Sequence, residues 1–175
     1  MLLKMRNLET ERLQLREFRQ TDLAAVARWD GIPHAEKFLE FCFQSYREWG
    51  LGPWAMVLKE NAMIAGNCSF CRVSYDRDLG MLEYCAEVNY YVAPQYRGKG
   101  LASEALRAIL QFGFHDLRLT RIQGRCSPSN TSSERVMQKA GLKFDGTNTA
   151  AGGSAPPDKL YAISREDFRE LSSSS

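Results

Sequence analysis

No run of about 18 or more apolar residues occurs in the 175-residue chain, so no segment reads as a membrane-spanning helix. The opening residues, Met1 to Leu13, lack the apolar centre and small-residue cleavage site of a secretory signal, and a cytoplasmic location is expected. Neither sign of charge is in clear surplus: 23 Lys and Arg face 21 Asp and Glu, for a net charge of +2. That balance argues against general attraction to nucleic acid or to an anionic membrane, so any anion site has to be local. Histidine is scarce, and His34 and His115 stand apart from any ligand pattern. The 5 cysteines are odd in number and irregularly spaced, which argues against a secreted disulfide framework and leaves them as reduced thiols. Cys68-Ser-Phe-Cys71 has metal-ligand spacing, but no second pair follows it. Two strand residues three apart also face opposite ways, so both cysteines read as packing and no metal is expected. Internal repeats and an interdomain linker are missing too. One domain over residues 1–171 is therefore expected, with a disordered tail at Ser172–Ser175.

What is present is a dense succession of short periodic segments. Leu13-Gln14-Leu15-Arg16 alternates as a half-buried strand does, and Thr21-Asp22 supplies an N-cap before Leu23, Val26 and Ala27. A second helix is expected over Ala35–Glu48, then a hairpin of Trp54–Leu58 with Met63–Val73. A strand over Glu83–Val92 runs through Pro94 and a glycine turn into a helix over Leu101–Phe114. The apolar face of that helix carries Leu101, Ala105 and Ile109 beside Ala102, Leu106 and Leu110. A strand at Arg121–Cys126, a helix over Ser132–Ala140 ended by Gly141, and strands near Phe144 and over Leu160–Ile163 complete the order. The fold class is α/β, a mixed sheet with helices packed on it. Thr147–Pro157, rich in Gly, Ala and Pro, reads as a long surface loop.

The glycine turn is where chemistry first shows. A strand entering a helix through glycines leaves unpaired N–H groups in the first helical turn, and the helix dipole favours an anion there. Gly98 and Gly100 permit close backbone approach, and Arg97 and Lys99 add charge at the rim. Two familiar phosphate turns are excluded by spacing. Lys99 is followed by Gly100 and not by the Ser or Thr of a P-loop, and Ser103 replaces the third glycine of a dinucleotide fingerprint.

The segment from Glu87 to Ala105, with Gln95-Tyr96-Arg97-Gly98-Lys99-Gly100 at its centre, resembles the acetyl-CoA signature of the GNAT superfamily, (Q/R)-x-x-G-x-(G/A). Asn130-Thr131-Ser132-Ser133-Glu134-Arg135-Val136-Met137-Gln138-Lys139-Ala140-Gly141-Leu142 resembles a segment of its ribosomal-protein N-terminal (Rim-type) acetyltransferase branch, as does the opening Leu8-Glu9-Thr10-Glu11-Arg12-Leu13. The resemblance implies a twisted, mostly antiparallel sheet of six to seven strands with about four helices. The fourth and fifth strands splay apart and the pantetheine arm of acetyl-CoA enters between them as an extra strand. Pantetheine amides would pair with the backbone of Tyr90, Tyr91 and Val92, and the pyrophosphate would rest on the turn from Gln95 and Arg97 through Gly98, Lys99 and Gly100 to Leu101 and Ala102. By the same analogy Asn130 binds the pantetheine and Ser133 lies close to the thioester sulfur. Both positions also suit helix capping, and Thr131-x-x-Glu134 fits a capping box. Many superfamily members carry a tyrosine acid where Met137 stands, and Ser133 is the substitute.

Transfer to an amine needs a base, because an ammonium group is not nucleophilic. Glu87 is the first candidate and Glu83 the second; alternation puts both on one strand face with Asn89 and Tyr91. A solvent-facing or ion-paired role for Glu87 stays open beside this. A covalent route through Cys85 or Cys126 has no activating neighbour in sequence to support it. The acceptor class implied is a primary amine, either a small molecule or a protein N-terminus, with the aromatic-rich helices before Trp54 flanking its cleft. The rival reading is a catalytically inactive acyl-CoA-binding regulatory domain, and a homodimer is left open.

Overall fold

The computed structural model describes residues 5–76, 83–148 and 156–173. Among the described residues are five α-helices and eight strands, β1 (Leu8–Glu9), β2 (Leu13–Glu17), β3 (Trp54–Leu58), β4 (Ile64–Asp76), β5 (Glu83–Val92), β6 (Arg121–Cys126), β7 (Lys143–Asn148) and β8 (Asp158–Ser164), which form a mixed sheet in the order β1-β2-β3-β4-β5-β6-β8-β7. The chain divides into two compact units, Met1–Phe70 with Tyr90–Ile109, and Cys71–Asn89 with Leu110–Ser175.

In the first unit, β1 (Leu8–Glu9) pairs antiparallel with β2 (Leu13–Glu17), and β2 with β3 (Trp54–Leu58). All five β3 residues are buried, as a central strand covered on both faces requires. β4 (Ile64–Asp76) continues the ladder, with Met56 opposite Gly66 and a register shift between Met56 and Val57. Between β2 and β3 lie α1 (Leu23–Val26) and α2 (Ala35–Trp49), which stops where Gly50 turns left-handed at φ 68°. Phe18 packs edge-on against Trp29 and Phe38, which are tilted to each other, in one cluster with Val26, Leu39, Cys42 and Val57. Trp29 and Trp54 are core, whereas Phe41 and Trp49 are exposed. Asp22 does not cap a helix through its side chain. Its carboxylate takes both Arg16 nitrogens, at 2.8 and 3.0 Å, and the Arg19 amide at 2.8 Å, so a buried ion pair uses the oxygen that the N-cap expectation assigned to α1.

β5 (Glu83–Val92) and α3 (Leu101–His115) pass through both units. Leu101, Ala102, Ala105, Leu106, Ile109 and Leu110 of α3 are all buried, the stripe that the sequence periodicity marks. In the second unit, β5 runs parallel to β6 (Arg121–Cys126), while β8 (Asp158–Ser164) pairs antiparallel with β6 and with β7 (Lys143–Asn148). α4 (Thr131–Lys139) lays Met137 over Gly124, where a β-carbon would lie 2.7 Å from the Met137 sulfur. Met137 therefore packs against the side-chain-free position of Gly124.

Two elements go beyond the sequence reading. β1 adds a strand, so the expected fourth and fifth strands are β5 and β6. α5 (Arg165–Ser173) adds a helix that carries the backbone through Ser172 and Ser173. Ser164 starts α5, accepting the Asp167 amide at 3.1 Å and donating to its carboxylate at 2.8 Å. Ser174, Ser175 and residues 149–155 of the expected surface loop lie outside the described residues.

Candidate active site

The proposed anion turn is built entirely within the first unit. β5 ends at Val92, Pro94–Tyr96 forms a 3-10 turn, Arg97 is extended, and Gly98 and Gly100 adopt left-handed φ values of 75° and 78°. Only glycine takes those values without strain. Gly100 accepts the first α-helical hydrogen bond, from the Glu104 amide at 3.1 Å, so helix geometry leaves the Leu101, Ala102 and Ser103 amides without intrahelical acceptors. A β-carbon added at Gly98 would meet nothing within 4 Å, so the space beside the Gly98 backbone is open. A 15-residue helix adds its full dipole to those amides. These features fit a diphosphate.

Glu104, in the first turn of α3, fixes the turn. It accepts Thr10 Oγ1 at 2.6 Å, the Arg12 amide at 2.8 Å and Arg12 Nε at 2.7 Å, while Arg12 Nη1 donates to the Lys99 carbonyl at 2.9 Å. Burial opposes ionisation of Glu104, but those donors outweigh it and hold the carboxyl below its ordinary value. Arg97 is not turned to the concave side. Its Nε donates to the Val92 carbonyl at 2.8 Å and its Nη2 reaches Asp30 at 3.1 and 3.3 Å, with the guanidinium 5.7 Å over the Tyr91 ring. Tyr91 in turn donates to Asp30 and packs on Trp29, and burial with that carboxylate raises its phenol above the usual range. Lys99 lies over the Tyr96 ring and Gln95 is exposed. Beside the turn is a cavity of about 500 Å³ whose lining includes Arg12, Lys59, Tyr96, Lys99 and Leu101.

The pairing of β5 and β6 stops short. The parallel register runs from Cys85↔Arg121 to Glu87↔Gln123; beyond it β5 continues to Val92, and β6 continues to Cys126 paired with β8 along its full length. Gly66 permits a close backbone approach at the end of β5: the Tyr91 carbonyl oxygen lies 2.0 Å from where a Gly66 β-carbon would be.

In the second unit Glu87 is half-buried and ion-paired, its Oε2 accepting Arg125 Nε at 3.0 Å and Nη2 at 2.5 Å. The carboxylate raises the Arg125 guanidinium above its ordinary value. Glu83 begins β5, and its side chain lies outside the described residues. Asn130 is the N-cap of α4, its side-chain oxygen accepting the Ser133 amide at 3.0 Å. The cap thus falls one residue before Thr131, and Glu134 is not its capping-box partner. Glu134 accepts Tyr161 and, at 2.9 Å, Lys159, which brace α4 against β8. Burial pushes the Cys126 thiol up, which works against a thiolate nucleophile there. Arg125, Asp30 and Glu104 escaped the sequence reading because each acts through a partner distant in sequence.

A strand running through left-handed glycines onto a helix N-terminus is the α/β architecture that the resemblance to a class of acyl-group transferases implies. Residues 12–143 match the family profile of the acetyltransferase (GNAT) domain. The chain belongs to the GNAT acetyltransferase family and is an acetyltransferase enzyme. It is 29% identical over 150 residues to the uncharacterized N-acetyltransferase YnaD of Bacillus subtilis, covering 80% of this chain and 84% of that protein. A GNAT-family acetyltransferase from Bacillus anthracis superposes with TM-score 0.75 at 30% identity, covering 92% of this chain and 99% of that one. Mycobacterium smegmatis RimJ in complex with CoA-disulfide superposes with TM-score 0.74 at 20% identity over 97% of this chain and 94% of its own, a likeness of fold.

Proposed function

We propose that the chain moves an acetyl group from acetyl-CoA to a primary amine by direct attack in a ternary complex, without a covalent enzyme intermediate, and that its kinship with the Rim-type branch is one of motifs. The carrying observation is the end of the β5–β6 register at Glu87↔Gln123, on a strand that leads directly into the Gly98–Gly100 turn. In this reading the Gly98–Ala102 backbone takes the diphosphate, and the Tyr90–Val92 edge takes the pantetheine amides as an added strand would. Acetyl-CoA supplies an activated acyl group as a thioester. Glu87 accepts the proton from the acceptor ammonium, and Asn130 and Ser133 serve the pantetheine and the departing sulfur. A cytoplasmic setting is proposed with it, since five cysteines, odd in number and irregularly spaced, suit a reducing compartment.

Thiol release from acetyl-CoA over a panel of amines tests this reading. Product with at least one amine is expected. Glu87→Gln should lower the maximal rate about a hundredfold and alter its pH profile, in keeping with loss of general-base assistance. A wild-type chain that binds acetyl-CoA yet releases no thiol supports the rival, a regulatory acyl-CoA binder. An unchanged rate and profile in E87Q removes Glu87 from the base role.

A further inference from the structure

The sheet register of the second unit gathers a second set of polar groups. Glu87 stands directly opposite Gln123, and Arg125 directly opposite Leu160 of β8. Paired positions share a face, as do residues two apart, so Glu87, Gln123, Arg125 and Leu160 all lie on one side of the sheet. The other side carries Val88 and Gly124 beneath Met137. On the polar side the ion pair is incomplete. Arg125 Nε and Nη2 both donate to Glu87 Oε2, and among the described residues Glu87 Oε1 and Arg125 Nη1 have no partner. The two side chains are 15% and 24% exposed, so water reaches them but does not surround them. Asp158 also contributes negative charge near Arg125.

We infer that the acceptor is an amine that bears its own carboxylate, of the amino-acid class, and that Arg125 reads the carboxylate while Glu87 reads the ammonium. This rests on the transferase reading above. A guanidinium with an uncommitted N–H is a fork for a carboxylate, and a carboxylate with an uncommitted oxygen is a seat for an ammonium. In an α-amino acid the ammonium nitrogen and the carboxylate carbon are bonded to one carbon, so two side chains that touch each other, as Arg125 and Glu87 do, can meet both groups at once. Binding is then an exchange of partners. The acceptor carboxylate takes Arg125, its ammonium takes Glu87, and neither half-buried charge is left without a counter-ion. The exchange also frees Glu87 from arginine at the moment a proton has to be removed. One ammonium proton passes to Glu87 and on to solvent, and the neutral nitrogen attacks the thioester carbonyl carbon. The C–N bond forms, the C–S bond breaks, and the sulfur leaves with the electron pair and takes up a second proton from the nitrogen. A polyamine or aminoglycoside offers only cations and would set one of them against Arg125.

The test uses the wild-type protein with acetyl-CoA and three sets of acceptors: free L-amino acids, the same amino acids as amides, and a polyamine. Product is followed by thiol release and by mass. Amidation removes one charge-assisted hydrogen bond, so kcat/KM is expected to fall about tenfold or more. In Arg125→Gln the acid-to-amide ratio should collapse to within about twofold, with Arg125→Lys intermediate because its charge remains without the fork. Should R125Q fail to fold, as its melting curve would reveal, the wild-type comparison still decides. Amides or the polyamine turned over as well as the free acids overturn the acceptor class and leave the transferase reading standing. No product with any amine, despite saturable acetyl-CoA binding, overturns both.

Discussion

Gly66→Ala should disable the protein out of proportion to one added methyl group. The β-carbon would arrive 2.0 Å from the Tyr91 carbonyl oxygen and 3.0 Å from both the Tyr91 carbonyl carbon and the Val92 Cα. The first contact is about 1 Å shorter than β-carbons tolerate, and the obstacle is backbone, which has no rotamer by which to yield. Gly66 cannot retreat freely either, because β3 holds it opposite Met56 and the Ala93 amide donates to the neighbouring Ala65 carbonyl at 2.8 Å. The end of β5 has to move. Overpacking of this kind costs about 3 kcal/mol, which lowers the melting temperature of a chain this size by roughly 6–12 °C. Because the displaced residues are Tyr91 and Val92, CoA affinity should fall about tenfold or more in whatever fraction stays folded. Gly98→Ala is the control for stability alone, since Gly98 belongs to the proposed cradle and its variant should also bind CoA more weakly. It meets nothing within 4 Å but keeps φ at 75°, and so should cost only about 1 kcal/mol of conformational strain. Thermal melts on both variants, with calorimetry on Gly66→Ala, read the difference. A G66A protein that melts within about 2 °C of wild type with unaltered CoA affinity refutes the steric argument.

Two further outcomes follow from the bracing contacts. Glu104 has a folded pKa below its unfolded one, so its stabilisation is full above the unfolded value near ~4.3 and disappears as pH falls through the folded value. The melting difference between wild type and Glu104→Gln should be about 2–4 °C near pH 7, since the Arg12 partner is 47% exposed and the pair is discounted for screening; it should narrow below about pH 4, and a gap that widens there contradicts the assignment. Asn130→Ala removes the α4 cap at a cost of about 1 kcal/mol, whereas Asn130→Ser keeps an N-cap oxygen. If Asn130 also touches pantetheine, N130S should melt like wild type yet bind CoA more weakly, and full retention of both properties leaves capping as its only role.

The parts of the fold legible in the sequence are those set by local periodicity. β5, β6 and the buried stripe of α3 lie where alternation and 3.6-residue spacing put them, and the two left-handed glycines occupy the turn where only glycine is comfortable. β1 is two residues long and gives no period, so it exists only because β2 pairs with it. α5 offers two apolar residues, Phe168 and Leu171, in a polar run. Its signal was the Ser164-x-x-Asp167 cap, which a reading centred on apolar spacing passed over. The α4 cap shifted from Thr131 to Asn130 because Glu134 is drawn to Lys159 and Tyr161 from another strand. The Glu87–Arg125 pair depends on a parallel register, and register across a crossover is not written in either strand alone. Arg97 reads as a phosphate ligand from its place beside the glycines. Asp30, 67 positions away, turns it aside, a preference no local pattern announces.

The diphosphate cradle is tested most directly by titration calorimetry of the wild-type protein with acetyl-CoA and, separately, with an acetyl-pantetheine thioester that lacks the diphosphate. Saturable binding is expected for acetyl-CoA, and about a hundredfold weaker binding for the truncated thioester, the loss of two charge-assisted hydrogen bonds to the Gly98–Ala102 backbone. Equal affinity for the two compounds, or no heat with acetyl-CoA, contradicts it.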